Sequence, residues 1–295
     1  MNKNILNLKL YVRKGLDLIQ NKSEIIMSNF YKLPFLEKPL PRKNIVQKIN
    51  LINKEKYLLL HKQAINTKNP KVDEFEKEIG FLINEEWFND ITLITQTCIK
   101  NSKLNFNHGR ILYSLVSKYI EYQLEVGENK ITILETGTAR GFSSLCMSKA
   151  INDRKFMGKI ITIDCISHNE KMFWGCISDF EGEKTREELL SKWHEELSNI
   201  IFIHGWTTET LKKIGLNRIN FAFLDAQHTK DAVIQEFKFI NKRQIKGDMI
   251  FFDDVTPNLF DGVCNAVKEI EIEYPYKIKY FPFDRNRGYA LATKI

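Results

Sequence analysis

The chain of 295 residues is 43% hydrophobic and 27% charged, with 14 Gly and 7 Pro, values near the globular average that exclude disordered, collagen-like and low-complexity classes. No stretch nears the ~20 consecutive apolar residues that span a bilayer, and charges interrupt residues 1–15, which argues against a secretory signal. The net charge of +7 is uneven: residues 1–127 hold 20 Lys+Arg against 13 Asp+Glu, whereas residues 128–295 hold 24 against 24.

Residues 1–40 lack periodicity, hold Pro34 and Pro39, and read as an arm. Within residues 1–70 the balance is 14 basic against 4 acidic. Such an excess either meets nucleic acid, a membrane surface or an acidic partner, or only solvates a Lys- and Asn-rich surface. The lysines are scattered rather than blocked, which favours solvation. Helical spacing predicts a first helix after Pro41 on Ile45, Ile49 and Ile52, and a second on Val72, Phe75, Ile79 and Leu82. A third, on Ile111, Leu115 and Tyr119, starts after an Asn107 cap. Residues 1–127 thus read as a basic arm and helical extension, a surface that could also carry a homo-oligomer contact.

The pattern changes at Gly127. Short apolar runs at 131–134, 160–163, 200–203, 219–224 and 248–252 read as strands, with helices near 142–151, 185–198, 208–214, 229–242 and 259–273. Apolar strands alternating with helices predict a mostly parallel, doubly wound, Rossmann-like α/β sheet covered on both faces. Two extended runs, 276–283 and 288–294, flank Arg285-Asn286-Arg287-Gly288 and predict an antiparallel C-terminal hairpin, for seven strands in all. Residues 128–295 form this domain. The five cysteines, Cys98, Cys146, Cys165, Cys176 and Cys264, contain no C-x-x-C pair, so a zinc cluster and a disulfide framework are set aside. The thiols read as reduced, in a cytoplasmic setting.

Open parallel sheets bind ligands at the carboxyl ends of their strands. After the first strand comes Glu135-Thr136-Gly137-Thr138-Ala139-Arg140-Gly141, whose glycines permit a tight turn and close approach of a ligand, or simply join strand to helix. It is not G-x-G-x-x-G, which weakens a nicotinamide reading. Asp164 ends the second strand, where a carboxylate accepts hydrogen bonds from a ribose or caps a turn. The third is followed by His204-Gly205-Trp206-Thr207-Thr208, a polar turn placed to close over a purine. The fourth leads to Asp225-Ala226-Gln227-His228 and the fifth to Asp253-Asp254. Gathering three carboxylates is costly unless a cation holds them, and all-oxygen ligation suits Mg²⁺. The other reading is that Asp254 caps the next helix.

Taken together, residues 131–256 resemble the class I S-adenosylmethionine-dependent methyltransferases, closest to the catechol O-methyltransferase-like enzymes and their sugar and macrolide relatives. The resemblance begins at His108-Gly109-Arg110-Ile111-Leu112, similar to the helix start before the family's first strand. It implies cofactor binding by Glu135, Gly137, Thr138, Gly141, Ser143, Asp164, Trp206 and Thr207, and a divalent metal, Mg²⁺ or another, on Asp225, Asp253 and Asp254. Asp254 stands where the catechol enzymes have Asn, as in the sugar-modifying relatives, and His228 where they have Lys. The implied activity is methyl transfer to a hydroxyl of a small molecule or sugar. Asp225 and His228 are the catalytic candidates, His228 either as general base or as a residue that orients Asp225. The alternatives are an RNA methyltransferase gripping phosphates with residues 1–70, and a non-catalytic cofactor-binding scaffold.

Overall fold

A computed structural model describes residues 53–100, 103–282 and 287–295. The helix expected after Pro41, the arm over 1–40 and residues 285–286 of the hairpin turn lie outside the described residues.

Among the described residues, four helices precede the sheet: α1 (Lys54–Ile65), α2 (Pro70–Ile79), α3 (Glu85–Thr95) and α4 (Asn107–Glu125). The first three start on asparagines, whose side chains accept the amides of Lys56, Val72 and Trp87 and so satisfy N–H groups with no partner in the helix. Pro70 at the first turn of α2 and left-handed Gly80 at its end set that helix's limits. The end at Gly80 leaves Leu82 outside the stripe, where it is exposed. On α4 the buried set Ile111, Leu112, Leu115, Val116, Tyr119 and Ile120 forms one stripe at helical spacing.

The strands are β1 (Lys130–Thr136), β2 (Met157–Asp164), β3 (Ile200–His204), β4 (Phe221–Leu224), β5 (Met249–Phe252), β6 (Tyr276–Pro282) and β7 (Gly288–Lys294). They form one sheet in the order β3-β2-β1-β4-β5-β7-β6. β1 to β5 pair in parallel, and β7 runs antiparallel to both β5 and β6, as the hairpin spacing predicts.

Consecutive strand residues are apolar because the two faces feed two cores. Ile133, Phe221, Phe223 and Phe251 pack toward α2, α3, α4 and α5 (Phe142–Asp153). Their neighbours Leu134, Ala222, Leu224 and Phe252 pack toward α9 (Lys230–Asn241) and α10 (Asp261–Glu273). The connection from β2 to β3 carries only short helical pieces, including α6 (Arg186–Leu190) and α7 (His194–Leu197), where the sequence suggests one helix. Likewise α8 (Thr207–Thr210), between β3 and β4, is a single turn. No helix among the described residues is long and apolar enough to cross a membrane.

A buried polar junction ties α4 to the sheet. Asp248, 1% exposed, accepts hydrogen bonds from Tyr119 Oη at 2.7 Å, from both terminal nitrogens of Arg218 and from the Ile245 amide. Removing the carboxylate strands these donors, so Asp248→Ala is expected to lower unfolding free energy by about 3 kcal/mol. Urea titration checks this: the midpoint should fall with the m-value unchanged.

Candidate functional site

The parallel strands bring the expected residues to one edge of the sheet. Between β1 and α5, Gly137 and Gly141 adopt φ of +90° and +87°. A Cβ on Gly137 would lie 2.2 Å from the Asp225 carbonyl oxygen, so the loop runs against the exit of β4. Glu135 is fully buried, and the hydroxyls of Ser143 and Ser144 in the first turn of α5 donate to its carboxylate. Burial raises its pKa to about 7, with the two serines opposing. Thr138 Oγ1 lies 2.5 Å from Thr162 Oγ1, turned onto β2.

At the end of β2, Asp164 accepts the amide of Ala139 at 2.6 Å and that of Ile166 at 2.7 Å. Its carboxylate therefore fixes the glycine loop against the start of the next connection. Arg186, 1% exposed, reinforces the same junction by donating to the carbonyls of Ala139 (2.9 Å) and Ile166 (3.2 Å). The connection 165–184 is packed: the Trp174 indole donates to the Lys184 carbonyl, and Asp179 accepts the amides of Trp174 and Gly175.

The acid cluster differs in composition from the expected trio. Asp225, His228 and Asp254 each bring one ligand-type atom within 4.8 Å of the others. His228 Nε2 lies 2.9 Å from Asp254 and 3.8 Å from Asp225. Asp253 is 3% exposed and accepts the Asp254 amide at 2.6 Å; it lines the cavity beside this group, together with Asp225 and His228. Asp254, at a φ of +55°, does not cap α10, whose N-cap is Phe260.

Arg287 donates to the other Asp254 oxygen at 2.6 Å. Sequence reading missed Arg287 because it reads as part of a hairpin turn. Burial would lower the His228 pKa, but the carboxylates of Asp225 and Asp254 outweigh it and raise the value to about 10. In this arrangement His228 holds a proton at neutral pH and stands as a cation between the two aspartates. Burial would raise Asp254 too, yet His228 and Arg287 hold it below the ordinary carboxylate range. Asp253 goes the other way, pushed well up by burial and by its two acidic neighbours.

On the β3 side, Trp206 is 40% exposed, whereas Thr207 is buried and donates to Glu236 on α9. Glu236, fully buried, also accepts from Thr136 at 3.0 Å, and burial raises its pKa to about 7. Glu135 and Glu236 thus share a pH signature. Their folded pKa values of about 7 exceed the ordinary 4.5, so their stabilisation is complete below about pH 4.5 and is lost as pH rises to about 7. The loss is expected to be roughly 3 kcal/mol for each group. Thermal melts from pH 5 to 8 check it, with Glu135→Gln and Glu236→Gln each flattening the decline.

A family model described as a methyltransferase domain matches residues 134–255. No curated protein sequence matches the chain. Among solved structures, the cofactor-bound Rv0187 from MTB is 14% identical, covers 77% of this chain and 98% of its own, and superposes with a TM-score of 0.51. The O-methyltransferase TomG from Streptomyces achromogenes, in complex with SAM, is 16% identical over 72% of this chain and 92% of its own, with a TM-score of 0.50. An O-methyltransferase from Bacillus cereus in complex with SAH is 14% identical over 78% and 93%, with a TM-score of 0.47. The match to a methyltransferase-domain model spans the glycine loop and the strand-end acids, and the chain shares the fold of the solved structures it superposes on.

Proposed function

We propose that this domain moves the methyl group of S-adenosylmethionine to a hydroxyl of a small molecule or sugar, assisted by a divalent cation at the acid cluster. One observation carries the reading: the Gly137–Gly141 loop, Asp164 and the Asp225–His228–Asp254 cluster all lie at the carboxyl ends of adjacent parallel strands. The residues suit the donor. The glycines leave the loop backbone bare, and Asp164 retains lone pairs beyond those used for two amides, enough to accept from a ribose. They also suit a cation, with two carboxylates and an imidazole converging on one point; this set fits Mn²⁺ as well as Mg²⁺.

S-adenosylmethionine supplies an electrophilic methyl group, and a bound divalent cation supplies a Lewis acid that lowers the pKa of a hydroxyl. The protein's own contribution lies in placement and proton handling. Asp225 keeps 29% of its side chain exposed, and burial raises its pKa, so it is the carboxylate suited to take the acceptor's proton. His228 lies between Asp225 and Asp254, 3.8 Å and 2.9 Å away, and would have to give up its proton to serve as a ligand, so cation binding would release a proton. Arg287 shares Asp254 and balances the cluster's charge.

Calorimetry with S-adenosylhomocysteine, followed by methyl-transfer assays on a panel of hydroxyl acceptors with and without EDTA, tests both halves. The expected result is binding, with turnover that EDTA removes and Mg²⁺ or Mn²⁺ restores. Absence of binding overturns the donor assignment, and turnover that survives EDTA overturns the cation.

A further inference from the structure

Glu236 sits in the middle of α9 with no exposure and no basic group bonded to its carboxyl. An isolated carboxyl in a core is expensive, and an apolar residue would pack the helix against the sheet at lower cost. What the carboxyl does instead is join two distant points of the chain. Thr136, which donates to Oε2 at 3.0 Å, is the last residue of β1 and immediately precedes Gly137. Thr207, which donates to Oε1, opens α8 directly after Gly205-Trp206. Glu236 also lines a small internal cavity with Asp225, His228 and Asp253. One carboxyl therefore spans the glycine loop and the Trp206 turn, and borders the acid cluster.

We propose that Glu236 is a positioning residue of the donor site, fixing the Trp206–Thr207 turn relative to the Gly137 loop at the separation that the nucleoside end of the cofactor occupies. This rests on the donor assignment made above. Two hydroxyls converging on one rigid helix residue fix that separation more tightly than apolar packing alone, because both bonds are directional. Without the carboxyl the two loops are tied only through the sheet, and the turn is free to drift outward.

The test compares S-adenosylhomocysteine affinity by calorimetry, together with KM and kcat, in the full chain and four variants. Glu236→Leu is expected to raise Kd and the cofactor KM by roughly tenfold or more while kcat at saturating cofactor stays within about threefold. Glu236→Gln should restore near-normal affinity, since its amide can bond both threonines with one bond reversed. Thr207→Val should raise Kd several-fold, and adding it to Glu236→Leu should change nothing further, as expected for two parts of one contact. If Glu236→Leu does not fold, Thr207→Val and Glu236→Gln carry the comparison. An unchanged Kd in Thr207→Val and Glu236→Leu, with only the melting temperature lowered, makes Glu236 a structural tether and overturns its positioning role alone. Failure of the unmodified chain to bind S-adenosylhomocysteine overturns the donor assignment and this proposal together.

Discussion

Replacing Gly137 with alanine is expected to abolish S-adenosylhomocysteine binding and to destabilise the fold by at least about 4 kcal/mol. Two effects add. The residue holds φ at +90°, where an L side chain is strained by about 1–2 kcal/mol. The new Cβ would also meet the backbone of the β4 exit, 2.2 Å from the Asp225 oxygen and 2.6 Å from its carbonyl carbon. Backbone cannot rotate away as a side-chain tip can, so the loop and the strand end must separate. Gly141 offers the contrast: it has a similar φ, but its Cβ would meet only Leu190 Cδ1, at 2.7 Å. Gly141→Ala should therefore cost less and keep measurable binding. Urea unfolding and calorimetry on the pair check the ranking. Binding by Gly137→Ala equal to that of the parent would place the cofactor away from this loop.

The five parallel strands were legible in the sequence because each spells a short apolar run between polar turns; the inner strands are buried on both faces, whereas edge strand β3 keeps its apolar run with Ile201 49% exposed. The helices α1 and α3 were not. In α1 the run Tyr57-Leu58-Leu59-Leu60 wraps around the helix, and only Tyr57 is buried, so no stripe marks it. In α3 the β-branched Ile91, Thr92, Ile94 and Thr95 suggest a strand, and the helix is held by its Asn84 cap and by packing. The segment read as one helix over 185–198 is interrupted by a tighter 3-10 turn over Ser191–Trp193, which the spacing of its residues does not signal.

The site divides along the same line. The candidates at or just beyond strand ends, Glu135, Gly137, Asp164, Asp225 and Asp254, are legible by position. Glu236 meets Thr136 and Thr207 from 100 and 29 residues away, and local pattern carries no trace of such a contact. For Asp253 and His228, position in the chain brings them near the cluster, and orientation decides which of them offers an atom to Asp225 and Asp254. Alternation along the strand end turns Asp253 inward, and the helix start after β4 brings His228 to Asp254. Spacing alone does not report which way a side chain faces.

Asp225→Asn is expected to reduce methyl transfer by roughly 10³-fold while changing S-adenosylhomocysteine affinity less than about threefold. The substitution keeps the side chain's size and removes its charge and its capacity to take a proton. Binding should survive because the contact with the Gly137 loop is made by the Asp225 main chain, which the substitution leaves in place. Stability should hold or rise slightly, since burial and the neighbouring Asp254 both push the Asp225 pKa up, the mark of a carboxylate whose charge is unwelcome in the fold. A residue kept for stability would show the reverse: a lower melting point and little loss of turnover. The three readouts together, turnover lost, affinity kept and melting temperature unchanged or higher, separate a chemical role for this carboxylate from a structural one. Retention of more than about a tenth of the parent turnover would remove Asp225 both as proton acceptor and as an indispensable cation ligand.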